Sequence, residues 1–108
     1  SQELSVMQRA TARRLLLAKG EYKAAYDFLS PASQSFKPFA EFQSEATASK
    51  LQDIKATRAE CDKDNRCSVT LTGKAKLKQP KVGELTVPVS LQEIWLAQSS
   101  GEAQLILR

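Results

Sequence analysis

From Leu4 to Lys19 the apolar positions recur at helical spacing: Leu4, Met7, Ala10 or Thr11, Arg14 with Leu15, then Ala18. No Gly or Pro interrupts the run, and Gly20 stands where a left-handed glycine closes a helix. Tyr22, Ala25, Tyr26 and Leu29 then fall at i, i+3, i+4 and i+7, which predicts a short second helix over 21–30 with one apolar stripe. Pro31 is expected to stop it. Phe36, Phe39 and Phe42 repeat every three residues and Ala46 follows, so a third helix is expected over about 38–49. Pro38 suits its first turn, and the phenylalanines form its buried face.

After Ser49 the period changes. "LQDIKATRAEC" reads as a strand, and "CSVTLTGKAKLKQ" alternates Cys67, Val69, Leu71, Gly73, Ala75 and Leu77 against polar neighbours. Gly73 marks a bulge or a bend. "QPKVGE" is a turn, and "ELTVPVSLQEIWLAQ" is a third strand with Leu85, Val87, Val89 and Leu91 on one face. Ile94 and Leu96 take the other parity, so a bulge is expected near Gln92. Pro88 points to an edge position or an irregularity. "SSG" turns the chain into a last strand, "EAQLILR". Helices over about 4–50 followed by antiparallel strands over about 51–108 predict one α+β domain spanning 1–108. Its helices pack on one face of the sheet.

Both cysteines, Cys61 and Cys67, flank "DKDNR", and Asp and Asn there are turn formers. Facing residues of an antiparallel pair lie roughly 4.5–5.5 Å apart, within reach of a disulfide. The expected state is therefore a Cys61–Cys67 staple across a hairpin, with two free thiols as the alternative. A structural zinc site needs four ligands, which two cysteines without histidine cannot supply, and a redox pair is normally C-x-x-C. No metal site and no cofactor are expected. A disulfide in turn implies export, so the expected location is the periplasm or cell envelope, with a leader already removed; the cytoplasm is the alternative.

Composition narrows the function further. The 108 residues contain no histidine, which removes the usual general base and the commonest metal ligand. The net charge of +4 falls short of a nucleic-acid footprint, and no apolar run approaches the roughly 20 residues of a membrane span.

"AKGEYKAAYDFLSPASQS", followed by "PFAEF", resembles the amino-terminal part of nuclear transport factor 2-like domains. The end, "VPVSLQEIWLAQSSGEAQLIL", is similar to that family's closing hairpin, with Glu93 and Trp95 in its E-x-W and Gly101 at the turn. Ala103 departs from the pattern, standing where a second aromatic is common. The resemblance implies a bent antiparallel sheet curled round helices into a cone with a pocket. It implies either isomerase, cyclase or dehydratase activity, or a non-catalytic binding or assembly role. A homodimer through the sheet face is also an expectation from the family.

The candidate pocket residues are Tyr22, Tyr26, Phe39 and Trp95. Each is equally accounted for as core, the tyrosines by the helical stripe and Trp95 by packing under the helices. An enzyme of the isomerase type would need Asp27, Asp53 or Glu93 beside a tyrosine inside the cone. Lys74, Lys76 and Lys78 share one strand face and form either a docking stripe for an acidic partner or a solvated face that deters edge pairing. The stripe has no interleaved aromatics, which argues against single-stranded nucleic acid. The expected function is a non-enzymatic bacterial envelope domain that binds a small apolar ligand or an envelope protein, with no catalytic residues. An isomerase-type enzyme and a structural subunit of an envelope assembly are the alternatives.

Overall fold

A computed structural model describes residues 1–107. Ser1 caps the first helix, α1 (Gln2–Ala18), by accepting the Leu4 N–H on its hydroxyl. At the other end Gly20 takes φ 77°. Its N–H donates to Leu17 O at 3.1 Å and that of Glu21 to Leu16 O at 2.9 Å, a paired carbonyl cap that terminates the helix as the glycine predicts.

The buried stripe of α1 differs from the expected one. Val6, Ala10 and Arg13 face the core, whereas Leu4 and Leu15 are 54% and 55% exposed. Val6, Ala10, Arg13 and Leu17 are also spaced by four and three, so two helical stripes compete in this sequence. The one carrying Arg13 turns inward, where that side chain meets the buried carboxylate of Glu93.

The second helix, α2, is shorter than expected, Tyr22–Tyr26. Its continuation is claimed by the last strand: the Leu105 N–H donates to Phe28 O and the Ser30 N–H to Leu105 O. Pro31 then opens a helix, α3 (Pro31–Phe36), at its first position, with Ser30 as the cap. That helix was not expected, and it leaves Phe36 64% exposed rather than on the buried face. The helix α4 (Phe39–Ala48) buries Phe42 and half-buries Phe39, both packed against the Tyr26 ring.

Four strands follow: β1 (Leu51–Cys61), β2 (Arg66–Gln79), β3 (Gly83–Leu96) and β4 (Gln104–Ile106). They form an open, curved antiparallel meander in sequence order. Arg108, the end of the expected last strand, lies outside the described residues. The helical layer covers one face, where Cys67, Val69, Leu71, Trp95 and Leu105 are buried. The α+β arrangement is the expected one, with four helices in place of three.

The irregularities sit elsewhere than expected. β2 and β3 pair without a break from Arg66↔Leu96 to Gln79↔Gly83, so there is no bulge near Gln92. Glu93 keeps the inward parity of Leu91 and Trp95, and this one buried polar residue is what made the apolar pattern seem to change phase. The register shifts occur instead in β1, between Gln52 and Lys55 and between Ala56 and Arg58. Gly73 faces the first of them. A Cβ there would lie 2.5 Å from Ile54 Cδ1, 2.7 Å from Gln52 O and 2.8 Å from Asp53 O. The glycine thus permits a bend that its neighbour strand makes. Pro88 lies where β3 has β2 on one side and no strand on the other, since β4 reaches only Ile94–Leu96.

The cysteines face each other across the β1–β2 hairpin and form the expected disulfide, with Cα atoms 3.9 Å apart. The connection is a turn closed by Asn65 N–H to Asp62 O, with Asn65 left-handed at φ 63°. The Asp62 carboxylate accepts from the N–H groups of Asp64 and Arg66.

Two outcomes follow from this geometry. Gly73→Ala should cost about 1–3 kcal/mol in urea unfolding, because two of the three atoms it meets are backbone and cannot step aside. Replacing both cysteines by alanine should cost about 2–2.5 kcal/mol, the chain-entropy value for a seven-residue loop, read as a lower urea midpoint.

Candidate functional site

Arg13 and Arg14 are consecutive on α1, so they leave the helix about 100° apart and reach one carboxylate from two sides. That carboxylate is Glu93, inward on β3. Its Oε2 accepts from Arg13 Nη1 at 3.2 Å and from Arg14 Nε and Nη2 at 3.1 and 2.5 Å. Its Oε1 accepts the Trp95 indole N–H at 3.0 Å. The Arg13 and Glu93 side chains are each only 7% exposed, and Trp95 is fully buried.

The cluster is unbalanced. Two guanidiniums meet one carboxylate, and the Arg13 Nε is buried with no acceptor among the described residues. Burial pulls the Arg13 guanidinium down from its ordinary range to about 10; Glu93 pulls it back up and Arg14 adds to the lowering. Folding therefore holds this charge against a desolvation cost that persists at every pH below about 10. Buried donors of this kind are matched in most native structures by a protein group or an ordered water.

A cavity of about 390 Å³ opens beside the cluster, between the carboxyl-terminal half of α1, α2, α4 and β1. Its size is in the range of small-molecule sites. Arg13, Arg14, Leu17, Tyr22, Phe42, Leu51 and Ile54 line it, and Glu45 and Asp53 also contribute to its wall. A second concavity, larger at about 820 Å³ and more open, runs along the outer flank of α1 over Thr11, Leu15, Ile54, Gly73 and Val89.

The four candidate pocket residues separate here. Tyr22 lines the smaller cavity. Tyr26 is buried, and its hydroxyl donates to the carbonyl oxygens of Gln34 and Lys37 at 3.0 and 2.7 Å. Phe39 meets the Tyr26 ring edge-on at 5.3 Å, and Trp95 lies beneath the helices against Phe28 and Glu93. None of these three lines either cavity.

The carboxylates divide likewise. Asp27 is exposed and paired with Lys23 at 3.0 Å, and Asp53 is 76% exposed and 3.9 Å from Lys74. Glu93 is buried, but both its oxygens are engaged, so moving a proton through it means breaking a bond to arginine or to Trp95. Lys74, Lys76 and Lys78 are exposed on the face away from the helices, with Lys76 3.6 Å from Glu84.

From the sequence Arg9, Arg13 and Arg14 read as a small basic cluster on the exposed side of the first helix; the structure instead turns Arg13 and Arg14 inward. The signal was the competing stripe through Val6, Ala10 and Leu17, whose fourth member is Arg13. Among the described residues no group of three or more His, Cys, Asp or Glu side chains could hold a metal ion, and no helix is long and apolar enough to cross a membrane. Neither a protein-family model nor a curated protein matches this chain.

The imbalance makes the two ends of the cluster differ in stability. Glu93→Gln strands two guanidiniums in the interior and should cost about 3–5 kcal/mol. Arg13→Met leaves Arg14 paired one-to-one with Glu93 and removes a desolvated charge, so its cost should stay within about 1 kcal/mol. Urea unfolding of the two variants checks this; equal losses would make Arg13 a required counterion.

Proposed function

We propose that this chain is a non-enzymatic ligand-binding domain of the nuclear transport factor 2-like type. Its ligand is a small, largely apolar molecule seated in the cavity between α1, α4 and β1. One observation carries the reading: Leu17, Phe42, Leu51 and Ile54 wall a cavity of about 390 Å³ beside a carboxylate that is fully engaged by its neighbours. The cavity offers shape and an apolar wall beside polar and charged groups, which serve binding, and a locked Glu93 is poorly placed to shuttle protons. The Cys61–Cys67 bond supports an oxidising compartment, for which the bacterial periplasm or envelope is the reading we favour. The motifs around Tyr22 and Trp95, together with helices laid on a bent open sheet, support the family assignment.

A partner protein is the second reading. Leu15 is 55% exposed in the larger concavity, the open trough, and Leu77 and Leu85, paired across β2 and β3, are 40% and 38% exposed; such apolar exposure suits an interface.

Native mass spectrometry of the protein purified from its own host tests the first reading. A small adduct should be present and should leave on denaturation. Ala46→Trp, which fills the cavity from α4, should be folded and free of the adduct. Adduct-free wild-type protein that instead co-purifies with a protein released by Leu15→Glu would move the function to the trough.

A further inference from the structure

We infer that the cavity recognises the anionic head of an amphipathic ligand, a carboxylate or phosphate monoester on an apolar body, through Arg13 and Arg14. This deepens the binding reading above and rests on it. Glu93 takes Nη1 of Arg13 and Nε and Nη2 of Arg14. Nη2 of Arg13 and Nη1 of Arg14 donate to no described residue, and both arginines line the cavity. Two guanidiniums against one carboxylate leave one net positive charge at a site where the Arg13 side chain is 7% exposed.

An anion is the chemistry that answers this arrangement. It cancels the surplus charge and accepts from paired, preoriented donors, where charge-assisted bonds are strongest. The acids on the wall do not occupy that role: Glu45 is 54% exposed and pairs with Lys37 at 2.5 Å, and Asp53 is 76% exposed. In water their field on a ligand is weak compared with that of buried arginines. Leu17, Leu51 and Ile54 then receive the apolar body. Arg13 orients α1 but adds little net stability, since desolvation offsets its attraction to Glu93, and its place on the cavity wall suits a second, anionic partner.

The test titrates the intact, oxidised protein with octanoate, octyl phosphate and octanol, followed by calorimetry and by Trp95 fluorescence, which senses the Glu93 contact. Octanoate or octyl phosphate should bind at least about tenfold more tightly than octanol. The better of the two distinguishes a carboxylate from a phosphate source. Arg14→Gln and Arg13→Met should each erase that preference while octanol binding persists, and Ala46→Trp should abolish binding of all three. Octanol binding as tightly as octanoate, with no effect of the arginine variants, overturns the anion site and leaves the apolar cavity standing. No binding by any of the three overturns both.

Discussion

Glu93 is the point on which the two layers of this protein are registered. A single carboxylate oxygen takes three donors from consecutive residues of α1, and its twin takes the indole of Trp95 two residues along β3. The rotation of α1 about its axis is thereby set, because only one rotation brings both guanidiniums to the same atom. Buried ion pairs of this kind add little net stability, since desolvation offsets the attraction. Their effect is on specificity: of the two helical stripes, the one with Arg13 is inward, and Leu4 and Leu15 are left at the surface.

The remaining contacts close round that registration. Arg9 lays its guanidinium over the Phe28 ring at 4.6 Å and donates to Ala103 O, joining the same helix to the last hairpin. Phe28 in turn meets Trp95 edge-on. The backbone of Phe28 and Ser30 pairs with Leu105, so the segment after α2 behaves as a short parallel partner of β4. Tyr26 ties α2 to the carboxyl-terminal end of α3 through its hydroxyl, and its ring packs on Phe42 of α4. The cavity is what remains where α4 and the bent start of β1 diverge beside Arg13. Its position follows from the first register shift in β1, between Gln52 and Lys55, which Gly73 allows by having no Cβ.

Much of this was legible in the residues. Gly20 as the end of α1, the Cys61–Cys67 staple, the long alternating strand from Arg66 and the order of helices before strands all follow from local rules, and each such rule involves residues within one turn or one hairpin. The phase of α1, the buried Glu93 and the short α2 were not legible. Each was decided by a residue distant in sequence: Glu93 for Arg13, Arg13 for Glu93, and Leu105 for Phe28. Tyr22 and Trp95 were both marked as pocket residues, and only packing separated the one on the cavity wall from the one beneath the helices.

The sequence by itself determined the class of fold, the hairpin and its disulfide, and the lack of histidine chemistry, because periodicity, turn composition and residue inventory are properties of short windows. Only the tertiary structure decided that a pair of arginines on a helix faces inward and that a cavity lies beside them. A charge is carried into the interior when a counter-charge is already there, and no window of a single helix contains both.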